Sequence, residues 1–353
     1  MSKNYNDLVK KVKKRLNPEN ISFQRTLNED LATISYSDLL MYVRFAMNAV
    51  PPEYTAKSKE AGEMVKKHLG KELVDVVYKY QGSVMTDTHI KGASDIDLLV
   101  ITDKSYRIES VLLNNILTDF LEKQKYNHNQ IEKLEREATI STYQGDGLDD
   151  LRGLRLDSET ILKRIYQECD ITKPKAIKIN NLHLKREVDT VIANWYDNID
   201  SIVNDKGLNR GVQVYNKDKH ARGDSSFPFL SISKINNKNS LTNRRLKKMI
   251  RFLKNLKEDS NHKIDLNSFE INAICYDIDM ELYIDKSFYE LVSVIYNQLK
   301  SISTNPFHAD RIISVDGTET IFEGKPDKIK QLKLVLAEVE NIYLDLIVMK
   351  KVI

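Results

Sequence analysis

The stretch YKYQGSVMTDTHIKGASDIDLLVIT, residues 78–102, decides the fold. An apolar and aromatic segment ends at Gly82 and Ser83, and a loop of eleven residues follows. The sequence then places Asp95 and Asp97 at the start of a run rich in Ile, Leu and Val. Both apolar segments have the composition of β-strands. The sequence therefore predicts two strands joined by a loop, with paired carboxylates where the second strand begins.

The paired carboxylates are an unusual feature of an apolar strand. Residues i and i+2 of a strand share a face, so Asp95 and Asp97 lie on one side, while Ile96, Leu98 and Val100 lie on the other, in a core. Two unit charges about 4 Å apart repel by roughly 4 kcal/mol at an effective dielectric near 20. Water, a basic partner or a divalent cation must offset that repulsion. Oxygen ligands of this kind suit magnesium, which proteins hold with one or two carboxylates and substrate phosphates.

The Gly-Ser pair upstream distinguishes a phosphate site from two solvated aspartates on an edge strand. Gly82 allows the backbone to approach a phosphate closely, and backbone N–H groups with the hydroxyl of Ser83 can surround its oxygens. By itself, Asp-x-Asp favours the solvated alternative. A strand, Gly-Ser, a loop and Asp-x-Asp on a second strand together favour nucleotide binding.

Amino-acid composition, net charge and cysteine count limit the class of protein to which the chain can belong. The chain has 353 residues, 41% hydrophobic and 30% charged, and its 54 Lys and Arg against 51 Asp and Glu give a net charge of +3. The protein is no general polycation, so any nucleotide preference must come from a local patch. Two cysteines, Cys169 and Cys275, provide neither a disulfide framework nor a zinc cluster. With no membrane-length apolar run and no secretory signal, we expect a cytoplasmic protein without a membrane partner.

The order of patterns along the chain predicts an α/β front half and a helical back half. Helical spacing covers residues 55–69 and most of the chain after residue 242. The segment 144–153 is predicted to be a loop. Residues 205–242 are polar and contain several glycines, so the boundary between lobes is placed there. The predicted domains are residues 1–210 and residues 211–353.

The Gly-Ser and Asp-x-Asp pattern resembles the signature of the polymerase-beta-like nucleotidyltransferase superfamily. That family needs a third carboxylate on a neighbouring strand, and Asp189 in LKREVDTVIAN fits; Glu187, on the same face, is the alternative. The resemblance implies that Asp95, Asp97 and Asp189 are catalytic residues and ligands of Mg²⁺ or Mn²⁺. Two ions held there would activate a hydroxyl and stabilise the charge of in-line displacement.

A basic amphipathic helix is predicted over TNRRLKKMIRFLKNLK, residues 242–257. Arg244, Lys247, Arg251 and Lys254 share one side of it by i, i+3 and i+4 spacing. A solvated face and a triphosphate site are equally compatible with four cations. Lys247 and Arg251 are the candidates for nucleotide binding on this helix.

A further helix is predicted to open at NSFEINAICY, after residue 266. Ser268 can cap that helix or donate to a phosphate. Phe269 belongs either to the core or to a platform for a base. Taken alone, each of the two residues favours the structural role.

These later blocks together are similar to the CD-NTases, the cyclic-oligonucleotide synthases of bacterial CBASS antiphage systems and relatives of the animal cyclic GMP-AMP synthases. The resemblance covers roughly residues 30–300 and implies a two-lobed α/β fold. A mixed β-sheet catalytic lobe would include an N-terminal spine helix, and a helical C-terminal lobe would close the nucleotide pocket. The resemblance also implies that Lys247 and Ser268 contact the donor triphosphate and that Phe269 stacks on its base.

The sequence departs from the family pattern at two places. Asp87 stands where many members have glycine, which questions the backbone geometry of the loop before the acids. Phe269 stands where many relatives have tyrosine, so stacking is kept and a hydroxyl contact is lost.

The expected function is synthesis of a cyclic di- or trinucleotide second messenger from NTPs in antiphage defence, with release of pyrophosphate. Its product would reach a downstream effector, and we expect a monomer without a stable nucleic-acid partner. The alternative is nucleotidyl transfer to RNA or protein. A nucleotide-binding regulator without turnover is a third possibility, which the presence of all three acids disfavours. The sequence leaves open which bases are joined.

Overall fold

The computed structural model describes residues 3–19, 37–204 and 206–349. Its helices are, in chain order, α1 (Tyr5–Leu16), α2 (Asp38–Met47), α3 (Pro52–Leu69), α4 (Ser110–Thr118), α5 (Phe120–Lys123), α6 (His128–Ala138), α7 (Gly147–Ile165), α8 (Ile199–Val203), α9 (Pro228–Leu241), α10 (Arg245–Asp259), α11 (Ser268–Asp277), α12 (Glu290–Thr304), α13 (Pro306–Arg311) and α14 (Pro326–Val348). Its strands are β1 (Val76–Gln81), β2 (Ile96–Ile108), β3 (Glu168–Asp170), β4 (Ile177–Asn181), β5 (Arg186–Asp197), β6 (Gly211–Asn216) and β7 (Ala221–Ser226). None of the helices described is long and apolar enough to cross a membrane.

The chain divides into two compact units, which we name by content. The sheet unit comprises residues 56–85 and 95–233, and the helical unit comprises residues 1–55, 86–94 and 234–353. The loop that separates Gly-Ser from Asp-x-Asp therefore groups with the helical unit, although the strands at its two ends belong to the sheet unit.

The sheet unit contains a mixed seven-stranded sheet. Its order is β1-β2-β5-β4-β3, and β6 pairs with both β5 and β7. Only β2 and β5 run parallel among these pairs; the others are antiparallel. β5 is long enough to pair with β4 through its first half and with β6 through its second half. This arrangement makes β2 and β5 the centre of the sheet.

Both faces of the sheet are covered by apolar side chains. Ile96, Leu98 and Val100 pack in one cluster with residues of α3 and α7. Leu99 and Ile101 pack in the other cluster, which includes Trp195 and Phe229. The predicted core face of Ile96, Leu98 and Val100 is confirmed. The face that begins with the aspartates becomes apolar further along the same strand.

The helical unit has its own core. Buried side chains of α1, α2, α10, α11, α12 and α14 form one continuous cluster. α10 has the longest uninterrupted run of buried residues among these helices, from Met249 to Leu256. The amphipathic pattern predicted this helix, but its buried surface is wider than the apolar stripe.

The predicted fold class, a mixed-sheet lobe followed by a helical lobe, is confirmed. The division into units does not coincide with the predicted boundary between residues 210 and 211. β6 and β7 lie beyond that boundary, yet they extend the sheet through hydrogen bonds to β5. The N-terminal residues 3–19 and 37–55 group instead with the helical unit.

Candidate active site

Two neighbouring strands, β2 and β5, bring Asp97 and Asp189 together in the sheet unit. Asp97 pairs in register with Gln81 of β1 on one side and with Asp189 of β5 on the other. Neighbouring strands lie about 4.8 Å apart, and residues paired in register share a face. Asp95 immediately precedes β2 and is exposed. The geometry therefore places Asp97 and Asp189 side by side, with Asp95 at the strand end.

The aspartates perturb one another. Burial raises the pKa of Asp97 to about 7, with further contributions from Asp189 and Asp95. Burial also raises the pKa of Asp189, and Asp95 adds to the effect. Both shifts have the sign expected when carboxylates are partly removed from water and face like charges. A bound cation would reverse this repulsion, so the site favours a positive ligand.

Asp189 fits the role of the third carboxylate of the site better than Glu187 does. Its Oδ1 atom is buried and has no hydrogen-bond partner in the part of the chain that the structure describes, which is costly unless a ligand satisfies it. Glu187 instead forms an ion pair with Lys178, with 2.9 Å between Oε2 and Nζ.

Whether the aspartates could bind a metal ion can be judged from the type and placement of their donor atoms. Among the residues that the structure describes, no three acidic, His or Cys side chains form a preassembled metal site. The carboxylates are nevertheless hard oxygen donors on adjoining strands, and Oδ1 of Asp189 is buried without a hydrogen-bond partner among the described residues. This chemistry fits magnesium or manganese, which prefer such donors.

The Gly-Ser pair lies in a turn directly after β1. Gly82 has φ +86°, a conformation that favours glycine, and its carbonyl accepts a hydrogen bond from the N–H of Met85 at 3.2 Å. A Cβ atom at this position would collide with Oδ2 of Asp97. The absence of a side chain is therefore required for the turn to lie against the carboxylate. Ser83, predicted to bind phosphate, is half-buried in the same turn.

The loop after this turn is fastened within the helical unit. Asp87 has φ +53°, so it adopts the left-handed conformation that glycine favours and that aspartate tolerates. The buried guanidinium of Arg251 donates to the carbonyl of Asp87 at 2.6 Å and to that of Met47 at 2.9 Å. Asp87 therefore adopts a left-handed backbone conformation that a glycine at this position could also adopt.

Two more residues of α10 hold the same loop. The Nζ atom of Lys254 donates to the carbonyl and hydroxyl oxygens of Thr88, at 3.1 and 3.2 Å. Glu258 pairs with Lys91 at 2.9 Å. Burial lowers the pKa of Lys254 to about 8. Together with Arg251, these residues make one side of α10 a support for residues 86–94.

Arg251 therefore differs from its predicted role. It is 5% exposed and its donors are directed to protein carbonyls, so in this structure it orders a loop. Sequence spacing groups it with Lys247, but spacing carries no information about a loop that folds back from more than 150 residues earlier.

Lys247 and Ser268 remain available to a ligand. Lys247 is half-buried, burial lowers its pKa, and its ammonium makes no hydrogen bond or ion pair within the described part of the chain. Ser268 is the exposed first residue of α11, which Asn267 caps in a capping box with Glu270. The capping alternative for Ser268 is thus wrong. Phe269 is partly buried and packs against the core of the helical unit.

Sequence reasoning missed one group of residues near the acids. Lys178 is the register partner of Asp189 on β4, and Lys173 and Lys175 precede that strand. The signal in the sequence is the lysine-rich segment TKPKAIK, residues 172–178, next to the strand that pairs with the third acid.

Comparison with protein families matches two regions of the chain. Residues 63–158 match a nucleotidyltransferase domain. Residues 233–344 match the C-terminal helical domain of cGAS/DncV-like nucleotidyltransferases. The first region contains Gly82, Asp95 and Asp97, and the second contains Lys247 and Ser268.

Comparison with individual proteins gives relatives that match over nearly the whole chain. A c-di-GMP synthase of Capnocytophaga granulosa is 48% identical over 349 residues, 98% of each chain. The structure of a STING-associated CdnE c-di-GMP synthase from that organism is similar with a TM-score of 0.81 at 44% identity, covering 98% of this chain and 100% of the other. The corresponding structure from Flavobacteriaceae sp. has a TM-score of 0.89 at 38% identity, covering 98% and 99%.

Proposed function

Because the chain belongs to the cGAS/DncV-like nucleotidyltransferases, the CD-NTases, we propose that it joins two GTP molecules into c-di-GMP. The chain is an enzyme, a nucleotidyltransferase that makes a cyclic nucleotide from NTPs. The observation that carries the proposed site is the register of Asp97 with Asp189, whose buried Oδ1 has no hydrogen-bond partner among residues 3–19, 37–204 and 206–349. The choice of GTP is supported by the full-length relatives named c-di-GMP synthases.

Asp95, Asp97 and Asp189 would hold Mg²⁺ or Mn²⁺. When bound, the ions would activate the attacking hydroxyl and stabilise charge on the transferred phosphate. The three residues contribute oxygen donors from one face of adjoining strands, where burial and mutual repulsion favour a cation. In each transfer a ribose oxygen forms a bond to an α-phosphorus while the bond to pyrophosphate breaks. A second transfer closes the ring.

The turn after β1 positions phosphate. Gly82 leaves the space beside Asp97 free of a side chain, so the backbone N–H groups and the hydroxyl of Ser83 can approach the phosphate oxygens. We propose that Lys247 and Ser268 contact the donor triphosphate and that Phe269 stacks on its base, as the family resemblance implies.

The product would act through an effector that recognises a cyclic dinucleotide. The two solved relatives are described as STING-associated, which supports a STING-type receptor as that effector and antiphage defence as the setting. The predictions of a cytoplasmic monomer without a stable nucleic-acid partner stay predictions.

The test is incubation of the purified protein with α-labelled GTP, ATP, CTP and UTP, with magnesium or manganese. After phosphatase treatment, we expect one resistant product with the mass of c-di-GMP, formed from GTP alone. Asp95→Asn, Asp97→Asn and Asp189→Asn should each abolish it, while Glu187→Gln should retain it. Full activity in Asp95→Asn and Asp97→Asn would refute the metal assignment, and label transferred to RNA or protein would support the alternative acceptor.

A further inference from the structure

An open pocket lies beside the third catalytic acid, in the sheet unit. Its volume is about 420 Å³, and it is lined by Lys173, Pro174, Lys175, Ala176, Lys178 and Asp189. Three of the six lining residues are cationic, and the pocket ends on the carboxylate that would hold metal. A cavity with this lining is suited to an anion that must approach a bound cation.

Two of the cations form no close ion pair within the described residues, although Lys173 is electrostatically coupled to Asp170 and Asp189. Lys173 and Lys175 are exposed, and neither ammonium forms a hydrogen bond or ion pair within the described residues. Lys178 is paired with Glu187. Lys178 and Lys173 both act to lower the pKa of Asp189, so both are close enough to influence the site electrostatically.

The backbone that carries these lysines is rigidly held from inside the protein. Nη2 of Arg155 donates to the carbonyls of Ile171, Lys173 and Ala176, at 3.2, 3.0 and 3.0 Å. Arg155 is 2% exposed and its Nε donates to Glu159 at 2.7 Å. The carbonyl of Pro174 accepts a hydrogen bond from the backbone N–H of Lys217 at 3.0 Å. Four of the backbone carbonyls from residue 171 to residue 176 therefore accept hydrogen bonds from other parts of the protein. Solvated lysines on a surface need no such support, whereas a preorganised binding loop does.

The strand register places the Gly-Ser turn and the lysines of the pocket at opposite ends of one row of paired residues. The row runs from Gln81, next to the Gly-Ser turn, through Asp97 and Asp189 to Lys178. The turn at one end receives the donor triphosphate in the proposed function. The lysines lie at the opposite end of the row, beyond Asp189, where the phosphates of a second nucleotide would lie if its hydroxyl approached the metal.

We propose that Lys173 and Lys175 bind the 5′-polyphosphate of the acceptor nucleotide, so that an NTP is selected over an unphosphorylated acceptor. This inference rests on the proposed function, and it assigns a substrate contact to the segment from residue 171 to 176. Lys178 also lines the pocket and is left out of the test, because its ion pair with Glu187 and its position opposite Asp189 in the sheet would complicate the result.

The experiment separates acceptor from donor by using analogues that can perform only one role. The donor is saturating 2′,3′-dideoxy-GTP, which has no hydroxyl to attack with. The acceptors are guanosine and guanosine 5′-[α,β-methylene]triphosphate, which can attack but cannot donate. The KM of each acceptor is measured from the rate of linear dinucleotide formation. For the wild-type protein we expect a lower KM for the triphosphate analogue than for guanosine.

The variant is K173Q/K175Q, and the matched control is K163Q/K219Q, which removes two exposed lysines elsewhere in the sheet unit. We expect the preference for the triphosphate analogue over guanosine to fall about tenfold in the first variant, as loss of two charge-assisted contacts implies. The control should keep the wild-type preference. An unchanged preference in K173Q/K175Q would overturn the proposal.

A binding measurement keeps the two proposals distinguishable. Inorganic tripolyphosphate is titrated into the protein in the presence of EDTA, which requires neither turnover nor metal. A Kd raised about tenfold in K173Q/K175Q, but not in the control, would support the pocket even if no nucleotide were joined. Equal affinities in all three proteins would refute it, even if the wild-type protein proved to be a c-di-GMP synthase.

Discussion

At the scale of single residues, Asp97 has a cost in the metal-free protein that depends on pH. Its folded pKa of about 7 lies above the ordinary value of 3.8. Below pH 4 the group is protonated in both states and costs nothing. Between pH 4 and 7 the unfolded chain loses the proton first, so stability falls, and above pH 7 the full penalty remains. Its size is about 4 kcal/mol, from the usual conversion of a pKa difference.

We therefore predict that Asp97→Asn stabilises the metal-free protein at pH 8 and has no such effect at pH 4. Urea unfolding at both pH values, with EDTA present, measures the difference. Magnesium should stabilise the wild-type protein more than the variant. A variant that is less stable than wild type at pH 8 in EDTA would show that Asp97 is not held among repelling carboxylates.

Gly82 is predicted to be irreplaceable, because any Cβ atom there meets Asp97 Oδ2 and the φ of +86° disfavours other residues. Gly82→Ala should reduce turnover at least tenfold and lower the free energy of unfolding by about 1–3 kcal/mol. Gly153 is the matched control: it lies inside α7, and a Cβ atom there would have no neighbour within 4 Å. Gly153→Ala should leave turnover unchanged and stabilise the protein by about 0.5–1 kcal/mol. Equal stability of the two alanine variants would contradict the geometry of the turn.

Two substitutions at Asp87 can be compared with each other, because both remove its carboxylate and the effect of that loss on stability is the same in each. Asp87→Gly and Asp87→Ala both remove the carboxylate that lies 3.7 Å from Arg251, but only glycine adopts a φ of +53° without strain. We expect the alanine variant to be less stable than the glycine variant by about 1 kcal/mol. Chemical denaturation of the two variants measures the difference, and a more stable alanine variant would rule out the left-handed conformation.

At the scale of secondary structure, apolar periodicity predicted the elements that carry the acids. The apolar pattern predicts that Asp97 and Asp189 each lie on a strand, and the family resemblance implies that the two strands are neighbours; their pairing is observed. Two parts of the fold, the first turns of α7 and the β6–β7 hairpin, were missed because their composition is polar. α7 begins at Gly147, within the segment predicted to be a loop, where Asp146 accepts hydrogen bonds from two backbone N–H groups of the first turn. The β6–β7 hairpin has few apolar residues, and its pairing with β5 could not be read locally.

The segment that carries Lys173 and Lys175 depends on one buried side chain of α7. Arg155→Lys keeps the charge but cannot donate to three carbonyls while remaining paired with Glu159, so part-buried carbonyls of the segment would lose a donor. We predict a loss of about 2–4 kcal/mol in the free energy of unfolding. Arg152→Lys, at an exposed position of the same helix, should change it by no more than about 0.5 kcal/mol. Similar unfolding curves for both variants would show that Arg155 does not hold the segment.

At the scale of the whole molecule, the composition indicated what kind of protein this is but not how its cations are used. A net charge of +3 indicates that the protein is no general polycation, so that its binding of anions depends on local patches. The structure divides the lysines and arginines of the candidate site by burial. Arg251 and Lys254 are buried against backbone carbonyls, while Lys173 and Lys175 are exposed beside the acids. Side chains become buried in this way through contacts between segments that are distant in the sequence. Helical or strand periodicity gives no information about such contacts.

The proposed choice of base can be tested on the intact protein without turnover. Guanosine 5′-[α,β-methylene]triphosphate with magnesium should raise Tm, since a ligand at 100 times its Kd stabilises the folded state by about 2.7 kcal/mol. The adenosine counterpart should raise Tm less, and omission of magnesium should reduce both shifts because the carboxylates then repel the phosphates. Asp97→Asn, which removes a proposed metal ligand, should show a reduced response to the guanosine analogue. Equal shifts from both analogues would contradict selection of GTP while leaving nucleotidyl transfer itself in place.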